Sequence, residues 1–200
     1  MTLADRLTRA LGEGAERELV LLESDYRDAQ MRPGEVLMPA AVLIAITDRA
    51  DPGVILTQRT ANLKRHAGQI SFPGGRIDPS DSGPIEAALR EAEEEVALPR
   101  SLVKVIGPAD RYRTVTGFDV TPIVSVIPPD LPLIAGEGEV ENWFEAPLSF
   151  LFEPGNQIEQ AVEWQGRERH YHEIMWDGRR IWGATAAMLI NLGRRLAWPL

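Results

Sequence analysis

The sequence predicts an α/β fold in which one mixed β-sheet carries helices on both faces. Two apolar runs, residues 38–46 and 118–127, are rich in β-branched residues and have the length of buried strands. Two other segments, residues 84–97 and 181–196, carry apolar residues at helical spacing. A chain of 200 residues is long enough for one domain with a sizeable core.

The first part of the chain is predicted to start with helix and to continue with a strand pair. In chain order the predicted elements are one or two amphipathic helices at residues 2–30, divided at Gly12-Glu13-Gly14, strands at residues 38–46 and 54–58, and a basic loop at residues 60–71. Asp51-Pro52-Gly53 supplies the turn between the two strands. This pattern divides the chain into an N-terminal helical extension, residues 1–34, and a main domain, residues 35–200.

The rest of the chain alternates between helices and strands. The helix at residues 84–97 has Pro84 at its first position, and Pro99 stops it. The later predicted elements are strands at residues 102–106 and 118–127 with a loop at 108–117 between them, a rigid connector at 128–132, a helical turn at 147–152, a hairpin of residues 157–164 and 169–176, and an amphipathic helix at 181–196.

Composition excludes several classes of protein. A net charge of −9 argues against nucleic acid or an anionic membrane as the main partner, although it allows a phosphorylated small molecule. The chain has no cysteine, so it has no thiol chemistry, and we expect a cytoplasmic protein. Asp5, Arg6 and Arg9 interrupt any signal-peptide-like run. The apolar faces of the terminal helices make a homodimer a further hypothesis.

Three glutamates form the main candidate site. At about 100° per residue, Glu91, Glu94 and Glu95 lie on one stripe of the helix at residues 84–97, and we expect them to face solvent. The core-facing arc beside them is predicted to hold five apolar residues, Ile85, Ala88, Leu89, Ala92 and Val96.

Closely spaced carboxylates repel one another, and oxygen ligands suit Mg²⁺ or Mn²⁺. Mg²⁺ held by carboxylates also recruits substrate phosphates. The stripe therefore indicates metal-assisted chemistry on a phosphate. The alternative is an ordinary solvated face, since glutamate runs are common on surface helices. Phe72-Pro73-Gly74-Gly75, which precedes the helix, favours the site because such a turn lets backbone approach a ligand closely.

The segment from Gly75 to Leu98 resembles the Nudix box. That pattern is Gly, five residues, Glu, seven residues, then Arg-Glu-apolar-any-Glu-Glu-any-Gly-apolar, and Arg90-Glu91-Ala92 with Glu94-Glu95 match it. Asp81 stands where the first Glu belongs, eight residues separate it from Arg90, and Ala97 replaces the final Gly. The Ala97 change has little effect if the backbone there is not left-handed. The resemblance implies a Nudix-type α/β/α sandwich with a mixed β-sheet.

A second motif narrows the resemblance to coenzyme A pyrophosphatases within the Nudix group. Leu56-Thr57-Gln58-Arg59-Thr60, Lys64, Gly68 and Phe72-Pro73-Gly74-Gly75 match their additional motif, except that Lys64 stands at an Arg position. The resemblance implies hydrolysis of the coenzyme A diphosphate to 3′,5′-adenosine bisphosphate and 4′-phosphopantetheine. Other nucleoside diphosphate derivatives, such as ADP-ribose or an oxidised nucleotide, remain open as substrates, as does a binding module without turnover.

The resemblance also suggests roles for individual residues. Glu91, Glu94 and Glu95 are the expected ligands of Mg²⁺ or Mn²⁺, and Arg90, although it projects away from the stripe, is expected to pair with a box glutamate. The residues expected to hold substrate or metal from the preceding segment are Arg59, Lys64, Arg65, Gly74 and Gly75. The general base is open between a box glutamate and three later candidates, Glu137, Glu139 and Glu141. Asp78 and Asp81 are expected to be loop caps rather than ligands.

Overall fold

The computed structural model describes residues 1–16, 37–61, 68–114, 116–164 and 166–199. The helices in these ranges are α1 (Leu3–Gly14), α2 (Pro84–Val96), α3 (Leu148–Leu151) and α4 (Ala184–Leu196). The strands are β1 (Met38–Thr47), β2 (Gly53–Arg59), β3 (Ile70–Ser71), β4 (Gly74–Arg76), β5 (Lys104–Pro108), β6 (Tyr112–Arg113), β7 (Phe118–Ile127), β8 (Val140–Pro147), β9 (Ile158–Trp164), β10 (Arg167–Trp176) and β11 (Arg179–Trp182). No helix in the described ranges is long and apolar enough to cross a bilayer.

The main sheet is mixed, as predicted. Strands β1 and β7 run parallel and pair along their whole lengths, from Met38 with Phe118 to Thr47 with Ile127. The other pairs in this sheet are antiparallel, and they include β2 with β8 and β5 with β7. Both central strands are almost fully buried, which agrees with their continuous apolar runs.

The main sheet has helices on both faces, so the α/β/α architecture is confirmed. Helix α2 covers one face and buries Ala88 and Ala92 in a core that includes Leu43 of β1. Helices α1 and α4 cover the other face, where Leu7 and Leu189 share a core with Ile44. The helix predicted at residues 84–97 therefore packs against the central strand through its buried face.

Residues 70–76 pass through a split in the sheet. Strands β1 and β2 pair only through Ile46 and Val54, near the end of β1 and the start of β2. Further on, β3 pairs with β2, and β4 pairs with β1. Residues 70–76 thus cross from one strand to the other, and the amide of Leu43 donates to the carbonyl of Pro73 at 2.8 Å.

A smaller sheet of β9, β10 and β11 packs beside the main one. The predicted hairpin is confirmed as β9 and β10, which pair from Ile158 to Trp164. Ile181, however, lies on β11 and not at the start of a helix, because residues 179–182 pair with β10. Helix α4 begins only after Gly183, whose φ of 61° is in the left-handed region.

Helix α1 is the described part of the predicted N-terminal extension, and it shares the main core. Leu3, Ala4 and Leu7 are all buried in the same cluster as α4 and β1. The backbone of Gly14 lies against Arg195 of α4, whose guanidinium donates to the Gly14 carbonyl. The predicted boundary at residue 34, and the second part of the helical prediction, lie outside the described residues.

Helix α2 ends in a left-handed residue that is not glycine. Ala97 has φ 52° and ψ 35°, so the backbone at the position of the final Nudix-box Gly is left-handed. The amides of Ala97 and Leu98 both point back to the carbonyl of Ala92. The Ala for Gly change is therefore not neutral, because a Cβ in this conformation is strained.

We expect Ala97→Gly to raise the free energy of unfolding by about 0.5–1 kcal/mol, since it relieves this strain at an exposed position. Urea denaturation of the two proteins measures the difference. Ala97→Val is the matched control and should lower the free energy of unfolding, because a β-branched residue tolerates positive φ poorly. An unchanged or lower stability in Ala97→Gly would contradict the left-handed assignment.

Candidate functional site

The buried face of α2 includes one of the three glutamates. Ala87, Ala88, Ala92, Glu95 and Val96 are the buried residues of the helix, whereas Ile85 is 42% exposed. The prediction for Ile85 is wrong because the buried face is rotated by roughly 60° toward Ala87 and Glu95. The small alanine side chains let the helix lie close to β1.

The Gly74-Gly75 strand lies directly against these glutamates. The amide of Gly74 donates to Oε2 of Glu95 at 3.3 Å. A Cβ on Gly75 would stand 2.5 Å from the carboxyl carbon of Glu91, and one on Gly74 would stand 2.5 Å from the carbonyl oxygen of Ala41. A side chain at Gly74 would collide with the backbone of β1, and one at Gly75 would displace the Glu91 carboxyl, so the predicted close approach of backbone at this turn is observed, here toward a carboxylate.

The three carboxylates have very different environments. Glu94 is exposed, Glu91 is half-buried, and only 5% of the Glu95 side chain is accessible. Burial raises the pKa of Glu95 to about 8, and the charge of Glu91 adds to the effect, while the Gly74 hydrogen bond and Arg59 oppose it. Burial also raises the pKa of Glu91. The expectation that the stripe faces solvent is therefore wrong for Glu95.

Arg90 reaches the glutamates, contrary to the prediction that it projects away from them. Its Nη1 donates to Oε1 of Glu91 at 2.9 Å and to Oε2 of Glu94 at 3.2 Å. The long side chain folds back along the helix, and its Nη2 also donates to the carbonyl of Arg76 at 3.1 Å. Arg90 is thus placed to fix two of the glutamates, the pairing that the family resemblance implies.

Asp81 holds the other side of the same guanidinium. Its two carboxylate oxygens accept from Nε and Nη2 of Arg90 at 3.1 and 3.0 Å, a bidentate pair. The Arg90 hydrogen bond lowers the pKa of Asp81. Asp81 also accepts from the amide of Asp78 at 2.8 Å, which agrees with its prediction as a loop cap. This contact between Asp81 and Arg90 was not predicted from the sequence. The alignment of Asp81 with the first Glu of the box could have indicated it.

The described part of the basic segment brings one arginine to the site. Arg59 ends β2, and its Nη1 lies 3.8 Å from Oε1 of Glu95. The amide of Arg59 donates to the carbonyl of Gln69, and the amide of Gly68 donates to the carbonyl of Arg59. These two hydrogen bonds hold residues 68 and 69 beside the end of β2. Lys64, Arg65 and His66 lie outside the described residues.

A loop of residues 134–139, which we call the capping loop, covers the carboxyl end of α2. The amide of Gly136 donates to the carbonyl of Glu95 at 2.8 Å, and the amide of Ile134 donates to the carbonyl of Val96 at 3.0 Å. A Cβ on Gly136 would lie 2.6 Å from the carbonyl of Glu94, so the loop needs glycine here. The segment predicted as a possible source of the base therefore lies beside the glutamates.

Glu139 and Glu141, two of the three later candidates for the general base, have different surroundings in the structure. Glu139 belongs to the capping loop, whose Gly136 amide donates to the carbonyl of Glu95, and after burial and other groups its charge also raises the pKa of both Glu91 and Glu95. Glu141 lies on β8, 3.5 Å from the side-chain amide of Gln58. Glu139 is the candidate whose charge acts on two glutamates of the stripe.

The chemistry of these side chains fits a hard divalent cation. The site supplies carboxylate oxygens from one helix and a glycine strand that leaves no room for side chains. Within the described residues, no three acidic or histidine side chains already stand around one point as metal ligands.

Comparison with known proteins agrees with this geometry. The NUDIX domain family matches residues 37–180. An Escherichia coli (strain K12) protein named "Uncharacterized Nudix hydrolase NudL" is 45% identical over 157 residues, which are 78% of this chain and 82% of that protein. The crystal structure of a MutT/nudix family protein from Enterococcus faecalis covers 98% of this chain and 75% of its own, with a TM-score of 0.51 and 15% identity, which shows a shared fold. The chain belongs to the Nudix hydrolase family.

Proposed function

We propose that this Nudix hydrolase cleaves the diphosphate bond of coenzyme A or a coenzyme A derivative, with Mg²⁺ or Mn²⁺ as cofactor. Membership of the family supports the hydrolysis of a diphosphate. The observation that carries the choice of substrate is the position of Arg59. This residue belongs to the coenzyme A motif read in the sequence, and its guanidinium lies 3.8 Å from Glu95.

The residues of the site divide into two groups. Glu91, Glu94 and Glu95 would hold the metal, which neutralises phosphoryl oxygens and lowers the pKa of water. Arg90, clamped by Asp81, keeps Glu91 and Glu94 on one side of the helix. Arg59 would bind a phosphate of the substrate, and Glu139 would take a proton from the attacking water.

The reaction is tested with coenzyme A, Mg²⁺ and ¹⁸O-labelled water, because hydrolysis at phosphorus places one solvent oxygen in one of two monophosphate products. We expect 3′,5′-adenosine bisphosphate and 4′-phosphopantetheine without inorganic phosphate, measured by mass spectrometry. Acetyl-coenzyme A should be cut at the diphosphate with its thioester intact. ADP-ribose and oxidised nucleotides are tested in parallel, and a clear preference for either would overturn the proposed substrate.

Loss of either of two box carboxylates should abolish most of the turnover. We expect Glu94→Gln and Glu95→Gln each to lower kcat by about 100-fold or more, because each change removes a charge that would hold the metal. The matched control is Glu93→Gln, since Glu93 is on the same helix but pairs with Arg100 at 2.7 Å, away from the stripe. Steady-state kinetics give both values. Wild-type kcat in either of the first two variants would defeat the assignment.

Metal affinity should depend on pH through Glu95. In the metal-free protein the pKa of this carboxyl is raised to about 8, so below that pH the bound proton must leave before the carboxylate can ligate. The apparent affinity for Mn²⁺ should therefore rise by up to about tenfold per unit between about pH 6 and about pH 8. Isothermal titration calorimetry measures it, and Glu95→Gln should flatten the slope. If Glu95→Gln leaves the pH dependence of the Mn²⁺ affinity unchanged, the proton that metal binding displaces belongs to another group.

A further inference from the structure

Thr60 connects the end of β2 to the capping loop by two hydrogen bonds. Its amide donates to the carbonyl of Glu139 at 3.0 Å. Its hydroxyl Oγ1 donates to the carbonyl of Gly138 at 3.2 Å. Gly138 has a φ of 92°, so the loop turns at this point in a conformation that favours glycine. One side chain and its own amide therefore fix two consecutive peptide units of the loop.

The capping loop is fixed at its other end by helix α2. Gly136 donates to the carbonyl of Glu95, and its lack of a Cβ allows the contact. The loop thus spans from the last turn of the glutamate helix to Thr60, the residue after Arg59. Glu139 lies at the second of these anchors, and its position relative to helix α2 depends on both of them.

Electrostatic repulsion from the other carboxylates of the site acts to push an ionised Glu139 away. The capping loop covers the end of the helix that carries Glu91 and Glu95, so an ionised Glu139 in this loop is repelled by their carboxylates. Two cations are nearby, but Arg90 pairs with Glu91 and Glu94, and the guanidinium of Arg59 lies 3.8 Å from Glu95. A carboxylate that must stay close to two others needs a backbone anchor, which Thr60 supplies.

We propose that Thr60 is a positioning residue that holds Glu139 in place for the hydrolytic step. The inference depends on the proposed hydrolysis of a diphosphate, but not on which diphosphate is cleaved. It explains a hydroxyl at the position directly after Arg59, because a threonine or a serine can both donate to the Gly138 carbonyl, whereas an apolar residue of the same shape cannot. Thr60 thus acts through the backbone of the capping loop.

The test compares Thr60→Val, which removes only the hydroxyl hydrogen bond, with Thr60→Ser, which keeps it. We expect Thr60→Val to lower kcat by about 10-fold with less than about a twofold change in KM, because a small displacement of a reacting group affects the rate more than binding. Thr60→Ser should retain kcat within about twofold. The matched control is Thr8→Val on α1, where a threonine hydroxyl also donates to a backbone carbonyl, that of Ala4 at 2.8 Å.

A double-mutant cycle with Glu139→Gln shows whether Thr60 acts through Glu139. If it does, adding Thr60→Val to Glu139→Gln should change kcat by less than about twofold, because the group that Thr60 positions no longer functions. Independent, multiplicative effects would overturn the proposal, as would equal losses in Thr60→Val and Thr60→Ser. An unchanged kcat in Thr60→Val also overturns it while leaving the proposed function intact. Absence of turnover in the wild-type protein with every diphosphate would instead reject the proposed function itself.

Discussion

The contact between the Gly74-Gly75 strand and helix α2 is the constraint on which the site depends. Gly75 lies this close because it has no Cβ: a methyl group there would occupy the space of the Glu91 carboxyl, whereas a Cβ on Gly74 would collide with Ala41 of β1 on the other side. The helix in turn reaches the strand because its buried face is made largely of alanine. Residues 70–76 reach this place by crossing the split between β1 and β2. The fold thereby brings backbone from one segment against carboxylates from another.

Electrostatics explain why so acidic a site is compatible with the fold. Arg90 contacts Glu91 and Glu94 from one side, and Arg59 lies near Glu95 from the other. Glu95 is nevertheless buried, and its raised pKa shows that the metal-free site favours a protonated carboxyl there. The protein as a whole has a net charge of −9, so the arginines beside the glutamates supply the local positive charge that an anionic ligand needs.

The departures from the Nudix pattern have different physical consequences. Asp81 is shorter than Glu and one residue further from Arg90, yet it forms a bidentate pair with that arginine because the loop before α2 brings it within reach. Asp81 therefore pairs with Arg90, the arginine of the box, despite the changed spacing. Ala97 is not compensated in the same way, since its backbone keeps the left-handed conformation that suits glycine.

The sequence by itself determined the architecture and the identity of the carboxylate helix. Long apolar runs predict β1 and β7, and helical spacing with Pro84 predicts α2, because these patterns depend on local periodicity. The short strands β3, β4 and β6 have too few residues for any periodicity, and β11 was taken for part of a helix for the same reason.

Only the tertiary structure decided which carboxylates are buried and which cations they meet. The rotation of α2 on the sheet buries Glu95 and exposes Ile85, and it depends on packing against β1 rather than on the helix alone. The contacts from Asp81 to Arg90, from Arg59 to Glu95 and from Thr60 to the capping loop join residues from different elements. Such contacts depend on how the elements pack, and local sequence patterns carry no information about that packing.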